Sequence, residues 1–211
     1  MPTAKERHEL YLATYESKTE DDIRIAYRRW APSYEHHIID QGWQAPELCS
    51  GTLAAHLPDK NSKILDVGAG TGLAGQALRV LEFPHIDALD LSSEMLEQAR
   101  AKQIYRHIFI GNAERMDAIK DGSYDAVICV GALNFGHIMP SSFVEFIRVT
   151  RCGGLIAFTT REDFFQKVSR AQQEKLVGDG RWQLVEERQV AEAVKDMPHR
   201  HFCYRKLDRK H

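Results

Sequence analysis

The sequence has 211 residues, of which 43% are hydrophobic and 27% are charged, and these values are ordinary for a globular protein. A chain of this length can bury a core without support from disulfides or metals. Lys and Arg number 28 against 30 Asp and Glu, so the net charge is −2. This balance argues against a surface that binds polyanions, and we do not expect nucleic acid as a partner.

The four cysteines are scattered, without the density of a disulfide scaffold or the paired spacing of a zinc site. The N-terminus lacks the apolar segment of a signal peptide. The longest apolar runs, such as AVICVGAL, fall well short of the ~20 residues that span a membrane. We therefore expect a soluble, cytoplasmic protein with no bound metal and no membrane contact. The oligomeric state stays open, and a monomer is compatible with these features.

The first 60 residues predict a helical cover. Asp21 and Asp22 can cap a helix, and Pro32 should end that helix at or before Ala31, because a residue that precedes proline avoids the helical conformation. A second amphipathic stretch, residues 47–57, stops at Pro58.

From residue 61 onward, short apolar runs alternate with stretches of helical spacing. Such alternation predicts βαβ units and a parallel sheet, so we expect an α/β core at residues 61–211 and a single domain over residues 1–211. Two further runs near the end, residues 182–185 and 201–204, could pair as antiparallel strands. The predicted parallel strands cover residues 63–67, 85–90, 108–110, 124–130 and 154–160.

A glycine-rich turn follows the first predicted strand. The stretch Gly68-Ala69-Gly70-Thr71-Gly72 lies between this strand and a helix, where glycines let the backbone turn sharply and approach a ligand. The free N–H groups of the helix N-terminus suit a carboxylate or a phosphate. The nicotinamide fingerprint is Gly-x-Gly-x-x-Gly, and Leu73 stands where its third glycine would be. This departure argues against a dehydrogenase.

An acid ends the second predicted strand. Asp90 follows the glycine turn by about twenty residues, the position from which a carboxylate accepts hydrogen bonds from ribose hydroxyls. The alternative role is that of a helix N-cap, which Ser92 or Ser93 would fill better. The order strand, glycine turn, helix, strand and acid therefore favours a nucleoside site.

These blocks together resemble the class I S-adenosylmethionine-dependent methyltransferases. The resemblance implies a Rossmann-like, doubly wound sheet of seven strands, mostly parallel with an antiparallel last strand, beneath the helical N-terminal cover. In detail the chain is similar to the Williams–Beuren-region methyltransferase-like proteins. The residues that carry the resemblance are Leu65–Gly72, Leu89–Leu96, Tyr124–Val127, Arg151–Leu155, Trp30-Ala31-Pro32 with Tyr34, Gly131–Leu133, Arg148–Thr150 and Thr159–Arg161.

The resemblance also implies S-adenosylmethionine as cofactor, with S-adenosylhomocysteine as product. The loop Gly68, Ala69, Gly70, Thr71 and Gly72 would hold the methionine moiety, and Asp66 would orient this loop. Asp90 would take the ribose, while Leu91 and Met95 would pack on the adenine. The further residues implied at the cofactor are Asn112, Ala113 and Glu114 at the adenine edge, Val130 and Gly131 on the path to the methyl group, and Trp30 and Tyr34 from the cover.

Methyl transfer from a sulfonium is an in-line displacement that alignment alone can promote, so no fixed catalytic group is required. The catalytic residues stay unknown, with His137 and Tyr34 as candidates; His137 also fits a surface loop. Adjacent His36 and His37 are expected to be solvated. We expect a small-molecule acceptor. The alternatives are a protein that binds the cofactor without turnover and a methyltransferase of protein side chains.

Overall fold

The computed structural model describes residues 3–16, 19–194 and 197–208. Within them the chain begins with helices α1 (Ala4–Glu16), α2 (Glu20–Trp30), α3 (Tyr34–Asp40) and α4 (Ala45–His56). The core follows with β1 (Ile64–Val67), α5 (Leu73–Val80), β2 (Ile86–Asp90), α6 (Ser93–Ala101), β3 (Ile108–Ile110), β4 (Tyr124–Leu133), α7 (Phe143–Val149) and β5 (Thr150–Arg161). It ends with α8 (Glu162–Phe164), a π-helical turn (Phe165–Ser169), α9 (Arg170–Gly178), β6 (Trp182–Val194) and β7 (Met197–Lys206). None of the described helices has the length and apolarity that a membrane crossing needs.

The cap of α2 differs from the expectation. Thr19, rather than Asp21 or Asp22, is the N-cap, and its side chain accepts a hydrogen bond from the Asp22 backbone N–H. The Asp22 carboxylate accepts in turn from the Thr19 N–H, which completes a capping box. The helix ends at Trp30, before Pro32, as predicted.

The described strands form one sheet in the order β3-β2-β1-β4-β5-β7-β6. Strands β1 to β5 pair in parallel, and β7 pairs antiparallel with both β5 and β6. This arrangement confirms the predicted Rossmann-like sheet with an antiparallel last strand. The strand order reverses between β1 and β4, and in such sheets ligands bind at the carboxyl ends of the strands beside this reversal.

Strands β4 to β7 all extend beyond their predicted ends, and strand pairing accounts for the extensions of β5 and β6. β5 begins at Thr150 rather than Gly154, because a bulge accommodates Gly153 and Gly154 within the strand. Gly153 has a left-handed φ of 74°, and a Cβ on Gly154 would lie 2.6 Å from the Asp125 carbonyl oxygen. β6 runs to Val194 because the long partner strand β7 supplies its hydrogen bonds.

Apolar side chains cover both faces of the sheet. On one face an aromatic group joins β5, β7 and α7, with Phe158 and Tyr204 stacked at 5.9 Å between ring centroids. On the other face α4 and α5 pack against β1, where Leu53, Leu78 and Ile64 are fully buried. The two layers fix the carboxyl ends of the central strands, where the site forms.

His201 is a buried, titratable residue of the core, so its protonation affects the stability of the fold. The imidazole lies on β7 with 1% of its surface exposed, and neither ring nitrogen has a hydrogen-bond partner. Burial lowers the pKa of His201 to about 4 from its ordinary value of 6.5, and the nearby charges of His199 and Arg188 act in the same direction. The unfolded chain therefore binds this proton more tightly than the folded chain does.

We predict that His201 removes stability from the folded state as the pH falls from about 6.5 to 4. The loss reaches about 3 kcal/mol, since a tenfold change in proton affinity corresponds to ~1.4 kcal/mol. Urea unfolding of the wild type and of His201→Leu at matched pH values measures it. The difference between the two free energies of unfolding should change across this range and level off above pH 7. A difference that does not vary with pH would contradict the prediction.

Candidate functional site

A cleft opens at the carboxyl ends of the central strands, beside the reversal in strand order. Its volume is about 900 Å³, counted together with its open mouth. The glycine loop and Asp90 line its floor and one side, and helix α2 lines the other side. The cleft therefore lies where an open α/β sheet binds its ligand.

The glycine loop requires glycine for its backbone conformation. Gly68, Gly70 and Gly72 have φ angles of 69°, 54° and 93°, in the left-handed region. A Cβ on Gly68 would also lie 2.6 Å from the Ala132 Cβ, so this position has no room for a side chain. The loop thus brings bare backbone to the edge of the cleft.

Asp90 ties this loop to the end of β2. Its Oδ2 accepts a hydrogen bond from the Gly70 N–H at 2.8 Å, and its Oδ1 accepts from the Ser92 N–H at 2.9 Å. Burial raises the pKa of the Asp90 carboxyl, and these backbone N–H groups oppose the rise. Ser92 is the N-cap of α6, as expected, which leaves Asp90 to line the cleft. Each carboxylate oxygen keeps a second lone pair for a ligand.

Asp66 lies beneath the loop, with 1% of its surface exposed. Its Oδ2 accepts a hydrogen bond from the Tyr105 hydroxyl at 2.5 Å, while Oδ1 has no hydrogen-bond partner. Burial raises the pKa of Asp66 to about 7, against the lowering effect of the bond from Tyr105. A buried acceptor atom without a partner is costly, and it makes this carboxyl suitable for a cationic or N–H-bearing ligand group.

The sequence did not predict the role of Tyr105. The residue lies in the loop between α6 and β3, outside any periodic pattern, and it reaches Asp66 across 39 positions. Gly75 on α5 makes room for it, because a Cβ there would lie 2.4 Å from the Tyr105 hydroxyl oxygen. Tyr105 also packs against Gly72 and so supports both the carboxyl and the loop.

The far side of the cleft is apolar and narrow. Met95 is buried and lines the cleft together with Leu91, and a Cβ on Gly70 would lie 3.5 Å from the Met95 Cε. Asn112 lies at the rim, where its Oδ1 accepts a hydrogen bond from the Glu114 N–H at 2.7 Å. That bond uses part of the acceptor capacity expected for an adenine amine. The predicted residues that line the cleft are Tyr34, Gly68, Gly70, Asp90, Leu91, Met95, Asn112, Ala113, Glu114, Val130 and Gly131.

The other predicted residues lie beside the cleft rather than in its wall. Asp66, Ala69 and Thr71 line a smaller cavity of about 290 Å³ beneath the loop, which we call the loop cavity. Trp30 lines a third cavity under the helical cover, which we call the aromatic chamber. Gly72 lines none of the three and serves as the N-cap of α5.

The helical cover supplies more of the cleft than the sequence indicated. Ile23, Arg24 and Tyr27 of α2 line it, and the spacing of four and then three residues from Ile23 through Tyr27 to Trp30 could have pointed to this face of the helix. An ion pair of 3.3 Å between Arg28 and Glu94 joins α2 to α6. The cover is thus fastened to the same helix that Ser92 caps.

The histidine candidates have separate environments. His137 lines both the cleft and the aromatic chamber, rather than an exposed loop surface, and its Nδ1 donates to the Phe135 carbonyl at 2.8 Å. Burial lowers the pKa of His137. The expectation of a solvated pair is wrong for His37, which is 5% exposed and packs edge-on against Trp30, whereas His36 is exposed.

Metal chemistry finds no support in the residues that the structure describes. Among residues 3–16, 19–194 and 197–208, no three His, Cys, Asp or Glu side chains are grouped so that they could hold an ion. The polar side chains that line the cleft are instead of mixed type, with carboxylates, an amide, hydroxyls, an imidazole and a guanidinium, which suit an organic ligand.

The sheet order and the position of the cleft are those of an open α/β protein that binds its ligand at the carboxyl ends of the strands. Comparisons with known proteins identify the family. Residues 65–158 match the model of a methyltransferase domain family. The chain is 33% identical over 164 residues to methyltransferase-like protein 27 of Homo sapiens, which is 74% of this chain and 66% of that protein. It is 31% identical over 154 residues to a malonyl-[acyl-carrier protein] O-methyltransferase of Erwinia pyrifoliae, covering 72% and 56% of the two chains.

A solved structure agrees in fold. A methyltransferase in complex with the Trm112 methyltransferase activator of Haloferax volcanii superposes with a TM-score of 0.71 and 17% identity, over 89% of this chain and 99% of that chain. The chain belongs to the class I S-adenosylmethionine-dependent methyltransferase family. Its similarity to methyltransferase-like protein 27 confirms the resemblance to the Williams–Beuren-region proteins. The chain spans about two thirds of that relative and about half of the O-methyltransferase.

Asp66 generates a prediction about stability. Because burial raises its pKa to about 7 from an ordinary 3.8, the folded state holds this proton more tightly than the unfolded state. The stabilisation is complete below pH 4 and disappears as the pH rises to about 7, with an upper magnitude of about 4 kcal/mol. Asp66→Asn keeps an oxygen that can accept from Tyr105 but does not titrate, so the wild type should lose stability relative to this variant over this range.

Urea unfolding of Asp66→Asn, Tyr105→Phe and the wild type between pH 4 and 8 measures this effect. Tyr105→Phe should raise the apparent pKa of Asp66 further, because it removes the hydrogen bond that favours the ionised carboxylate. Equal pH dependence in the wild type and Asp66→Asn would show that this carboxyl does not titrate as predicted.

Proposed function

We propose that the protein uses S-adenosylmethionine to methylate a small-molecule acceptor. Family membership supports the cofactor, and the arrangement of Asp90, the bare loop backbone and the buried carboxyl of Asp66 supports its binding by this chain. The single observation that carries the proposal is that one carboxylate, that of Asp90, both closes the glycine loop and lines the cleft.

The residues present fit the chemical parts of this cofactor. The Asp90 carboxylate suits a pair of ribose hydroxyls, and the apolar surface of Leu91 and Met95 suits a flat base. The unpartnered Oδ1 of Asp66, in the wall of the loop cavity, suits the ammonium group of the methionine part. When bound, the cofactor supplies an electrophilic methyl group on a positively charged sulfur.

The chain's own contribution is alignment and exclusion of water. The loop and Asp90 would hold the nucleoside, while α2 and α3 cover the cleft and restrict entry. An ion pair between Lys102 and Glu35 fastens α3 to the end of α6. In-line displacement depends on the angle and distance of approach, so a rigid cover is itself a source of rate enhancement.

The cover also supports a small acceptor over a protein side chain. Tyr34 and Tyr27 stand between the cleft and the aromatic chamber, and both spaces lie beneath α2.

The relative from Erwinia pyrifoliae is named for an acceptor attached to a carrier protein, and the Haloferax volcanii neighbour is bound to an activator protein. Co-expression with an activator-type partner tests whether this chain needs one for activity.

Asp90→Ala should weaken S-adenosylmethionine and S-adenosylhomocysteine binding by about 1–3 kcal/mol, because it removes charge-assisted hydrogen bonds and frees the loop. Isothermal titration calorimetry of the purified chain measures the change. The matched control is Asp179→Ala, which removes an exposed carboxylate at the end of α9 and should leave the affinity at the wild-type value. Equal affinity for both ligands in the wild type and Asp90→Ala would remove the ribose assignment.

Transfer is tested separately from binding. A screen of metabolite and protein fractions with radiolabelled methyl donor should label a low-molecular-weight product. Label in protein would support the side-chain alternative, and a chain that binds the cofactor without ever producing labelled product would support a binding protein. Tight binding of NAD in place of S-adenosylmethionine would contradict the proposal altogether.

A further inference from the structure

The aromatic chamber lies under the helical cover and has a volume of about 490 Å³, counted with its open mouth. Five aromatic side chains line it: Tyr11, Tyr27, Trp30, Tyr34 and Trp43. None of the described residues in its wall is Asp, Glu, Lys or Arg. Such a wall offers the π faces of rings and no carboxylate, and its described titratable side chains besides the tyrosines are His137 and His199.

The rings of the chamber are held by one another. Trp30 packs edge-on against Tyr34 at 4.8 Å and against Tyr11 at 5.6 Å between ring centroids, and it stacks on Tyr27 at 5.9 Å. The indole N–H of Trp30 is buried and has no hydrogen-bond partner, so ring packing alone positions it. A cluster that is positioned in this way is rigid before any ligand enters.

The chamber adjoins the other two cavities and shares wall residues with both. Tyr34 lines the cleft, the loop cavity and the chamber, and Gly131, at the end of β4, lines the cleft and the chamber. Trp43 lies directly on Gly131, because a Cβ there would be 2.6 Å from the indole ring. If the nucleoside fills the cleft and the amino-acid tail fills the loop cavity, the chamber is the compartment left beside the sulfur.

The movement of positive charge during methyl transfer determines which acceptor suits these rings. With a neutral amine, the nitrogen lone pair forms the new N–CH₃ bond, and the S–CH₃ bond breaks with its electron pair left on sulfur. The positive charge passes from sulfur to nitrogen and stays among the rings, which stabilise it throughout. An amine that carries hydrogen then loses one proton to water.

An oxygen acceptor would gain nothing from the same rings. With an anionic oxygen the positive charge disappears during transfer, so rings that stabilise a cation favour the ground state over the transition state. A neutral hydroxyl would have to lose its proton to a base, and burial lowers the pKa of His137, one of the two imidazoles in the wall of the chamber. The chamber also lacks, among its described residues, a lysine or arginine that could bind a carboxylate.

We propose, resting on the function proposed above, that the aromatic chamber takes a small neutral amine as the methyl acceptor. Tyr34 and Gly131 then mark the junction at which the nitrogen meets the methyl group. Tyr11 lines the chamber but neither the cleft nor the loop cavity. A substitution of Tyr11 should therefore change acceptor binding and leave cofactor binding unchanged.

The first measurement is binding without turnover. Tetramethylammonium imitates a methylated nitrogen, and 2,2-dimethylpropanol is a neutral compound of similar shape. With S-adenosylhomocysteine bound, quenching of the fluorescence of Trp30 and Trp43 should report tetramethylammonium binding about tenfold tighter than that of the alcohol. Tyr11→Leu should remove this preference, Tyr11→Phe should restore part of it, and Leu12→Ala, an exposed neighbour on α1, serves as the control.

The second measurement is transfer from radiolabelled S-adenosylmethionine to benzylamine, benzyl alcohol and benzoate. Labelled amine, with at least tenfold less label in the two oxygen compounds, is the expected result. Preferred labelling of an oxygen, or equal binding of tetramethylammonium and the alcohol, would overturn the amine assignment. Calorimetry on the same samples separates the two proposals: loss of cofactor binding counts against the proposed function, and bound cofactor with no labelled amine counts against the acceptor class alone.

Discussion

The hydrogen bond from the Gly70 N–H to the Asp90 carboxylate organises the site. It joins the loop after β1 to the end of β2, two elements that are twenty positions apart in sequence but adjacent in the sheet. Glycine adopts the left-handed conformations of this loop without steric strain. The bond to Asp90, together with the N–H groups of Gly68 and Ala69, which donate to the Leu89 carbonyl, fastens the loop at three points. The floor of the cleft is therefore formed before a ligand arrives, so the free energy of binding is not reduced by the entropy of ordering the loop.

The cover depends on this floor in turn. Helix α6 begins at Ser92, immediately after Asp90, and carries Glu94, which pairs with Arg28 of α2. The aromatic chamber exists because α1, α2 and α3 meet over β4, with Trp30 at their centre. Exposed ion pairs contribute little to stability, so their value here lies in setting the position of the cover, and burial of apolar side chains such as Trp30 stabilises its packing more.

Sequence reasoning succeeded where the determinants are local. The glycine loop, the acid after β2 and the Ser92 cap each follow from a short pattern in which residue type fixes the backbone, and the parallel strands follow from apolar runs. It failed where a residue's role depends on distant partners. Tyr105 reaches Asp66 only because Gly75 on another element lacks a side chain, and His37 is buried only because Trp30 and Tyr11 pack on it. The assignment of ligand parts to individual residues stays a prediction. Asp66 and Trp30 lie outside the main cleft, in the walls of the loop cavity and the aromatic chamber, so neither lines the space assigned to the nucleoside.

The distribution of charge gives the three cavities different chemistry. The loop cavity has a buried carboxyl whose second oxygen lacks a partner, and the cleft has the carboxylate of Asp90 at its middle. The chamber beyond Tyr34 has, among its described residues, no carboxylate at all. A carboxylate there would hold an amine as ammonium, whose nitrogen has no lone pair for attack, whereas π faces stabilise positive charge without retaining a proton. The same feature that makes the chamber suitable for a cationic product therefore also keeps an amine reactive before transfer, and this would explain why rings rather than acids form its wall.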